Sequence, residues 1–260
     1  MICRIEDHKI YHNLMEFVHG KWIIEGSASS SMLIIGKYFL EFPYAHNTLE
    51  TEGRETLVVN LREFDCFTLV ENVVVLARLI SEKKHSFEDF TAKLERCRYR
   101  NGIVNGYASR LHYFSEWLSD NEKKGIIMDV TREIGGTRFV KKINYMTAHP
   151  DNYSMLNNNR MCREILVVER NLSERPFYYI PKAELRPYEN AIEDGDIIAM
   201  TTSVVGLDIV HVGIAVCLER GIHLLHASEV DKKVVISDVT LHQYLYNRQA
   251  VTGIMIGRVR

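Results

Sequence analysis

A cysteine at the start of a strongly apolar segment is the first candidate for chemistry. Cys66 opens the segment 66–82, CFTLVENVVVLARLISE, in which apolar residues recur at helical spacing and occupy nearly every side. Asp65 precedes it and suits an N-cap. The free N–H groups and the dipole of a first helical turn are expected to lower the pKa of the thiol and to hold an oxyanion. The alternative is that Cys66 is one more small core residue, which is the more common fate of a cysteine.

Two histidines are candidates for the groups that a thiol nucleophile needs, a base and a residue that orients the base. His211 lies in D-I-V-H-V-G-I-A and His226 in L-L-H-A-S, on neighbouring predicted strands. Paired as a hairpin, these strands can bring both imidazoles together on one face. His223 is three residues from His226 and points to the other face, which also argues against a zinc pair in H-L-L-H. A lone histidine on a strand is more often structural than catalytic. The prediction of a catalytic role therefore depends on His211 and His226 lying side by side.

The elements that position these residues begin with helices. Periodicity predicts helices over 66–82, from Ser86 to about Tyr99, and over 109–121. The first 60 residues read as short helices and loops, with 27–31 (SASSS) as a loop. Residues 131–190 show little periodicity and are predicted to be loops with short elements.

The last 70 residues read as strands. Five β-branched segments are separated by short polar or glycine turns, namely 196–203, 208–217, 221–228, 233–238 and 253–260. Their close spacing predicts antiparallel pairing. Helices followed by strands predict an α+β fold in which the helix that begins at Cys66 packs on a C-terminal sheet.

Composition excludes several classes of protein. The chain has 260 residues, of which 46% are hydrophobic, so it can bury a core. Its 32 basic and 34 acidic residues form no basic block, which leaves a nucleic-acid partner without support. No apolar run approaches the roughly 20 residues of a membrane span. The five cysteines are scattered without a CxxC pair, which argues against a disulfide framework or a structural zinc site.

The segment MICRIEDHKIYHNL lacks the apolar stretch of a signal peptide. We expect the protein in the periplasm or cell envelope if a signal was removed before residue 1, and in the cytoplasm otherwise.

Several short motifs occur in an order that is typical of one group of enzymes. P-Y-A-H-N-T-L-E (43–50) precedes E-F-D-C-F-T-L-V-E (63–71), and G-D (195–196), H-V-G-I (211–214) and H-A (226–227) follow. This order resembles the NlpC-type cell-wall amidases, which carry a PY element and then an Asp-Cys pair that opens the core helix. T-L-E, Y-A-S-R-L-H-Y-F-S-E-W (107–117), G-G (135–136) and N-Y-M-T-A-H-P (144–150) resemble one branch, the N-acetylmuramoyl-L-alanine amidase-like family, whose members were sometimes labelled putative xylanases.

The resemblance implies a papain-like α+β core in one catalytic domain over 1–260. Residues 1–40 would form an N-terminal helical and loop extension, and about 85–190 a helical and loop insertion that shapes the substrate site. The implied triad is Cys66, His211 and His226, with the Tyr44 hydroxyl helping to bind the oxyanion or the substrate.

Further substrate contacts are expected at six positions: Glu50, Arg110, His112, Tyr113, Asn144 and His149. The alternative for these residues is an ordinary solvated helix face or loop. Phe67 and Asn47 stand where many NlpC-type enzymes have Ser and Gly, and this departure bears on which amide is cut.

The implied reaction is hydrolysis of the amide between N-acetylmuramic acid and L-alanine in peptidoglycan fragments (muropeptides), including anhydro forms. It needs neither a metal nor an organic cofactor, and a monomer is favoured. One alternative is an endopeptidase that cuts the stem peptide after D-glutamate, and another is a non-catalytic muropeptide-binding module. A glycoside hydrolase would need two carboxylates at one bond, for which Glu50 and Glu71 are available.

Overall fold

The computed structural model describes residues 1–20, 28–51 and 53–260. The helices in these ranges are α1 (Ile5–Gly20), α2 (Ala28–Tyr38), α3 (Cys66–Ser81), α4 (Phe87–Arg98), α5 (Phe114–Lys123), α6 (Thr131–Ile134), α7 (Tyr145–Ala148), α8 (Asn159–Glu174) and α9 (Leu241–Tyr246). The strands are β1 (Ile127–Asp129), β2 (Thr137–Phe139), β3 (Phe177–Pro181), β4 (Ile197–Thr202), β5 (Ile209–Leu218), β6 (Gly221–Ser228), β7 (Lys233–Ile236) and β8 (Val251–Val259).

The strands join in one sheet of order β2-β3-β8-β4-β5-β6-β7, and β1 also pairs with β8. Each of these pairings is antiparallel. The predicted α+β class and the antiparallel C-terminal strands are therefore confirmed. The predicted insertion over about 85–190 contributes β1, β2 and β3, so it extends the sheet as well as covering it.

Helices cover both faces of the sheet. On one face α2 and α3 contact β5, where Val212, Ile214 and Val216 belong to the same core as α3. On the other face α9 contacts β6 and β8. Every residue of α3 from Thr68 to Ala77 is buried, as expected of a helix that is apolar on nearly all sides. In the described ranges no helix is both long and apolar enough to cross a membrane.

The start of α3 is fixed by a reciprocal pair of hydrogen bonds. The Thr68 N–H donates to Asp65 Oδ1 at 2.7 Å, and the Asp65 N–H donates to Thr68 Oγ1 at 3.0 Å. This capping box satisfies two backbone donors that a helix N-terminus otherwise leaves free. The predicted N-cap at Asp65 is confirmed, and so is Ser86 as the N-cap of α4.

Two predicted boundaries are wrong. The segment 27–31 was expected to be a loop, but α2 begins at Ala28, because burying Met32 and Ile35 against the core favours a helix; Ser27 lies outside the described residues. The helix predicted over 109–121 begins at Phe114 instead. Arg110 is extended and bridges Tyr99, so Arg110, His112 and Tyr113 precede the helix.

The prediction of loops over 131–190 misses a 16-residue helix and a strand, α8 and β3. Ile165, Glu169 and Leu172 are buried on one face of α8 and Val168 packs beside them, so the helix is amphipathic and its spacing was a readable signal. Among the predicted C-terminal strands, the chain also forms α9, whose capping box at Thr240 and Gln243 was a readable signal.

The capping box gives a test of how the cysteine helix is held. Asp65→Ala is expected to lower the free energy of unfolding by about 1 kcal/mol, because the Thr68 N–H loses its acceptor. Asp65→Asn is the matched control and should be close to wild type, since asparagine caps as well as aspartate. Urea denaturation followed by circular dichroism measures both. Equal stability of the alanine variant and wild type would contradict a stabilising cap.

Candidate active site

Cys66 is the first residue of α3, and its side chain is partly exposed. It lines a cavity of about 130 Å³ together with Phe67, Val212 and His211. The backbone N–H groups of Cys66, Phe67 and Val212 are near enough to the sulfur to favour the thiolate and lower the pKa of the thiol. The packing of α3 against β5 therefore brings the predicted nucleophile, the predicted base and several backbone N–H groups to one cavity.

The two predicted histidines are in direct contact. His211 Nε2 lies 2.9 Å from His226 Nδ1, and the rings are nearly perpendicular at 87°. His226 is only 3% exposed, whereas His211 is partly exposed and faces the cavity. In residues 1–20, 28–51 and 53–260 no cluster of three or more His, Cys, Asp or Glu side chains is arranged to hold a metal ion.

Tyr44 lies between the segment before Cys66 and the turn that follows β6. Its backbone forms a parallel bridge with Phe64, and its N–H donates to the Lys232 carbonyl at 2.9 Å. The Cys66 thiol is close enough to influence the Tyr44 phenol, whose pKa is raised first by burial and then by Cys66. Tyr44 therefore lies near Cys66, but it is not among the residues that line the cavity shared by Cys66 and His211.

A second cavity of about 120 Å³ adjoins the first and shares Phe67 and His112 with it. Glu50 and Arg110 line this second cavity, and the Arg110 guanidinium, 4% exposed, pairs with the Glu50 carboxylate. His112 Nε2 lies 2.8 Å from the Tyr107 carbonyl oxygen. Burial first, and then the Arg110 charge, lower the pKa of His112 well below its usual value, so its ring is neutral. Nε2 must donate to that carbonyl, which leaves Nδ1 as an acceptor.

The other predicted contacts have different positions. Tyr113 lines the first cavity, but its buried hydroxyl donates to Glu169 at 2.7 Å and accepts from the Met146 N–H at 2.9 Å. The Asn144 N–H donates to the Gly206 carbonyl, and His149 is exposed, with Nδ1 2.8 Å from the Tyr145 carbonyl. Asn144 and His149 are not among the residues that line the two cavities.

Four further residues around the site were not singled out from the sequence. Tyr244 of α9 packs edge-on against His226, with ring centroids 5.3 Å apart, and the Arg248 guanidinium lies 3.4 Å from the centre of the Tyr244 ring. His46 and Glu229 connect to the Tyr44 hydroxyl. The capping box of α9 could have placed Tyr244 on a helix, but nothing in the sequence aims that helix at His226.

Comparison with known families agrees with the order of the motifs. Residues 34–254 match the family described as AmiA-like, N-acetylmuramoyl-L-alanine amidase-like. The chain belongs to this family. None of the curated proteins compared with it matches.

Several solved structures have folds similar to that of this AmiA-like chain. A structure of an N-acetylmuramoyl-L-alanine amidase from Bacteroides uniformis is 39% identical, with a TM-score of 0.85, over 90% of this chain and 100% of that chain. A putative xylanase from Bacteroides fragilis is 37% identical, with a TM-score of 0.82, over 87% and 100%. A Legionella pneumophila protein of the family designated DUF1460 shares the fold, at 21% identity and a TM-score of 0.69, over 98% and 93%.

Burial controls the protonation of this AmiA-like site. It raises the pKa of the Cys66 thiol to about 12, and the Asp65 carboxylate adds to this effect, while the three backbone N–H groups oppose it. Burial lowers the pKa of His211 to about 3, with His226 and Arg248 adding, and that of His226 to about 4. The predicted lowering of the thiol pKa at the helix start is therefore wrong, because desolvation outweighs the N–H groups. At neutral pH the thiol and both imidazoles are uncharged.

Thiol alkylation tests this resting state. Labelling of Cys66 by iodoacetamide should accelerate about tenfold per pH unit between pH 7 and pH 10, because only the thiolate reacts. Mass spectrometry of the peptide that contains Cys66 measures the rate. Asp65→Asn keeps a capping side chain but removes the charge, so it should lower the thiol pKa and label faster at pH 8. A rate that is already constant below pH 7 would instead indicate a preformed thiolate–imidazolium pair.

Proposed function

We propose that this protein is a cysteine amidase that cuts the bond between N-acetylmuramic acid and L-alanine in muropeptides. Cys66 is the nucleophile, His211 the base, and His226 the residue that orients His211. The observation that carries the proposal is the His211–His226 contact of 2.9 Å, with His211 and Cys66 lining one cavity. Membership of the AmiA-like family supports the choice of amide and of peptidoglycan fragments as substrates.

The first step starts from neutral groups. In the tautomer that suits catalysis, His211 Nε2–H donates to His226 Nδ1, and His211 Nδ1 is free to take the thiol proton. That proton transfers as the Cys66 sulfur attacks the carbonyl carbon of the lactyl group. The negative charge that develops on the carbonyl oxygen lies near the N–H groups of the first turn of α3, with Tyr44 as a further candidate donor.

The second half of the reaction returns the proton. The His211 imidazolium donates to the L-alanine nitrogen, the carbon–nitrogen bond breaks, and the stem peptide leaves. The lactyl group remains as a thioester on Cys66. His211 then takes a proton from water as the oxygen attacks the thioester carbon, the carbon–sulfur bond breaks, and His211 returns that proton to the Cys66 sulfur. The carboxylic acid of the sugar product loses its own proton to solvent. His226 stabilises the imidazolium at each stage by accepting its Nε2–H.

The arrangement of the core supports a papain-like, NlpC-type assignment. A helix that begins at the nucleophile packs on an antiparallel sheet, and the next two members of the triad follow on adjacent strands, β5 and β6. The order Cys, His, His along the chain is the order that the motif resemblance implies.

The second cavity is the proposed place for substrate contacts beside the scissile bond. His112 Nδ1 offers an acceptor there for an N–H or O–H group of the substrate, and Glu50 and Arg110 line the same wall. Contacts from Tyr113, Asn144 and His149 stay predictions.

One observation favours amide over glycoside hydrolysis. Glu71, one of the two carboxylates that a glycosidase would need, is 2% exposed and accepts a hydrogen bond of 2.7 Å from Arg98 Nε. A carboxylate held by a buried guanidinium is poorly placed to give or take a proton from a sugar.

The proposed reaction is tested by product mass. Wild type should convert a disaccharide-tetrapeptide muropeptide into free disaccharide and intact tetrapeptide, and Cys66→Ala should form neither. Cys162→Ala is the control, because Cys162 lies on α8 and lines neither cavity. A cut within the peptide would assign the endopeptidase alternative. Binding of the muropeptide by wild type without any turnover would favour a binding module.

The orienting role of His226 gives a second test. His226→Ala should lower kcat by about 100-fold or more, because His211 loses the acceptor that fixes its tautomer. His226→Gln should keep more activity than His226→Ala, since its amide oxygen can accept the same N–H. Steady-state hydrolysis of the muropeptide measures both. An alanine variant with the kcat of wild type would remove His226 from the triad.

A further inference from the structure

The Tyr44 hydroxyl belongs to a chain of hydrogen bonds that leads away from Cys66. The hydroxyl oxygen lies 3.1 Å from His46 Nδ1, and His46 Nε2 lies 3.0 Å from Glu229 Oε1. The rings of Tyr44 and His46 meet edge to face, with centroids 4.8 Å apart and an interplanar angle of 89°.

The three members of this chain come from the elements that build the active site. The Ala45 N–H donates to the Phe64 carbonyl at 3.0 Å, two residues before Cys66. The Tyr44 N–H donates to Lys232, and Glu229 lies in the same turn between β6 and β7, three residues after His226. The backbone that carries Tyr44 and His46 is therefore tied both to the start of α3 and to the hairpin that carries His226.

The donor inventory fixes the direction of the bonds. A carboxylate only accepts, so His46 Nε2 carries the proton in its bond to Glu229. When the imidazole is neutral, Nδ1 accepts the Tyr44 O–H; when it is charged, Nδ1–H donates to the Tyr44 oxygen and leaves the O–H available to another acceptor. The charged form is therefore the one in which His46 fixes the phenol oxygen and still leaves the Tyr44 O–H to donate to a substrate oxygen. The titratable groups that face this phenol are Cys66 and Asp65 at the start of α3 and Glu229 from the turn.

We propose that His46 and Glu229 are positioning residues that hold the Tyr44 hydroxyl in place beside Cys66, as His226 holds His211. The inference rests on the proposed function, because it gives the hydroxyl a task at the reacting carbonyl. The His46 and Glu229 side chains are 57% and 62% exposed, so their hydrogen bonds should contribute little to the stability of the fold. Their effect should appear in turnover, where the position of one hydroxyl matters, rather than in folding.

Kinetics of single and double variants separate positioning from a merely structural role. Tyr44→Phe should lower kcat for the muropeptide by about 100-fold, the usual size for one oxyanion donor. His46→Ala should lower kcat by about tenfold with little change in KM, and should have no further effect in the Tyr44→Phe background. Glu229→Ala should behave like His46→Ala, whereas Glu229→Gln, which can still accept from Nε2–H, should recover most of the activity.

His12→Ala is the matched control. His12 and Glu16 form a similarly exposed histidine–carboxylate pair, with His12 Nε2 3.3 Å from Glu16 Oε1 on α1. This variant should keep the kcat of wild type. Equal activity of His46→Ala and wild type, or a loss that is as large without the Tyr44 hydroxyl as with it, would overturn the proposal.

An NMR arm does not depend on turnover and so separates this inference from the proposed function. The nitrogen-15 shifts of the His46 ring, assigned by comparison with His46→Ala, should show a protonated Nε2. Tyr44→Phe should shift the Nδ1 signal, and Glu229→Ala should shift the Nε2 signal. If neither substitution changes the nitrogen-15 shifts of the His46 ring, the hydrogen bonds from Tyr44 to His46 and from His46 to Glu229 do not form. If these shifts occur but wild type cuts no muropeptide, the proposed function is wrong, whereas the hydrogen bonds that link Tyr44, His46 and Glu229 are confirmed.

Discussion

The first turn of α3 is the constraint on which the candidate site depends. Asp65 caps this turn, and the packing of α3 on β5 sets the thiol among three backbone N–H groups. The same carboxylate and the same burial raise the pKa of the thiol, so the residue that caps the helix at Cys66 also favours the protonated thiol. The proposed reaction therefore relies on proton transfer from the thiol to His211 during attack rather than on a preformed thiolate.

Local signals predicted the elements that carry Cys66, His211 and His226. The helix from Cys66 and the strands β5 and β6 agree with the sequence to within one or two residues, because each has a strong period and a clear cap or turn. The start of α5 could not be read in this way. Its Ser115 N–H donates to Asp208, 93 residues away, and Asp208 precedes β5. A tertiary contact therefore decides where that helix begins.

The site divides along the same line. The alternation of side chains along a strand predicted that His211 and His226 lie on the same face of the sheet, and this prediction needs no knowledge of packing. Tyr244 and Arg248 lie beside them because α9 crosses that end of the sheet, which no local pattern states. The pKa of the thiol was predicted in the wrong direction for a related reason. A helix N-terminus is visible in a sequence, whereas the amount of water excluded from a sulfur is a property of the packed molecule.

The position of β8 has a consequence for the synthesis of the protein. This strand, Val251–Val259, pairs with β1, β3 and β4 in the interior of the sheet, although it follows all the other strands along the chain. Until the ribosome has released residue 259, β4 presents an unpaired edge and the two halves of the sheet cannot join. The sheet that carries both histidines can therefore be completed only after translation has passed β8.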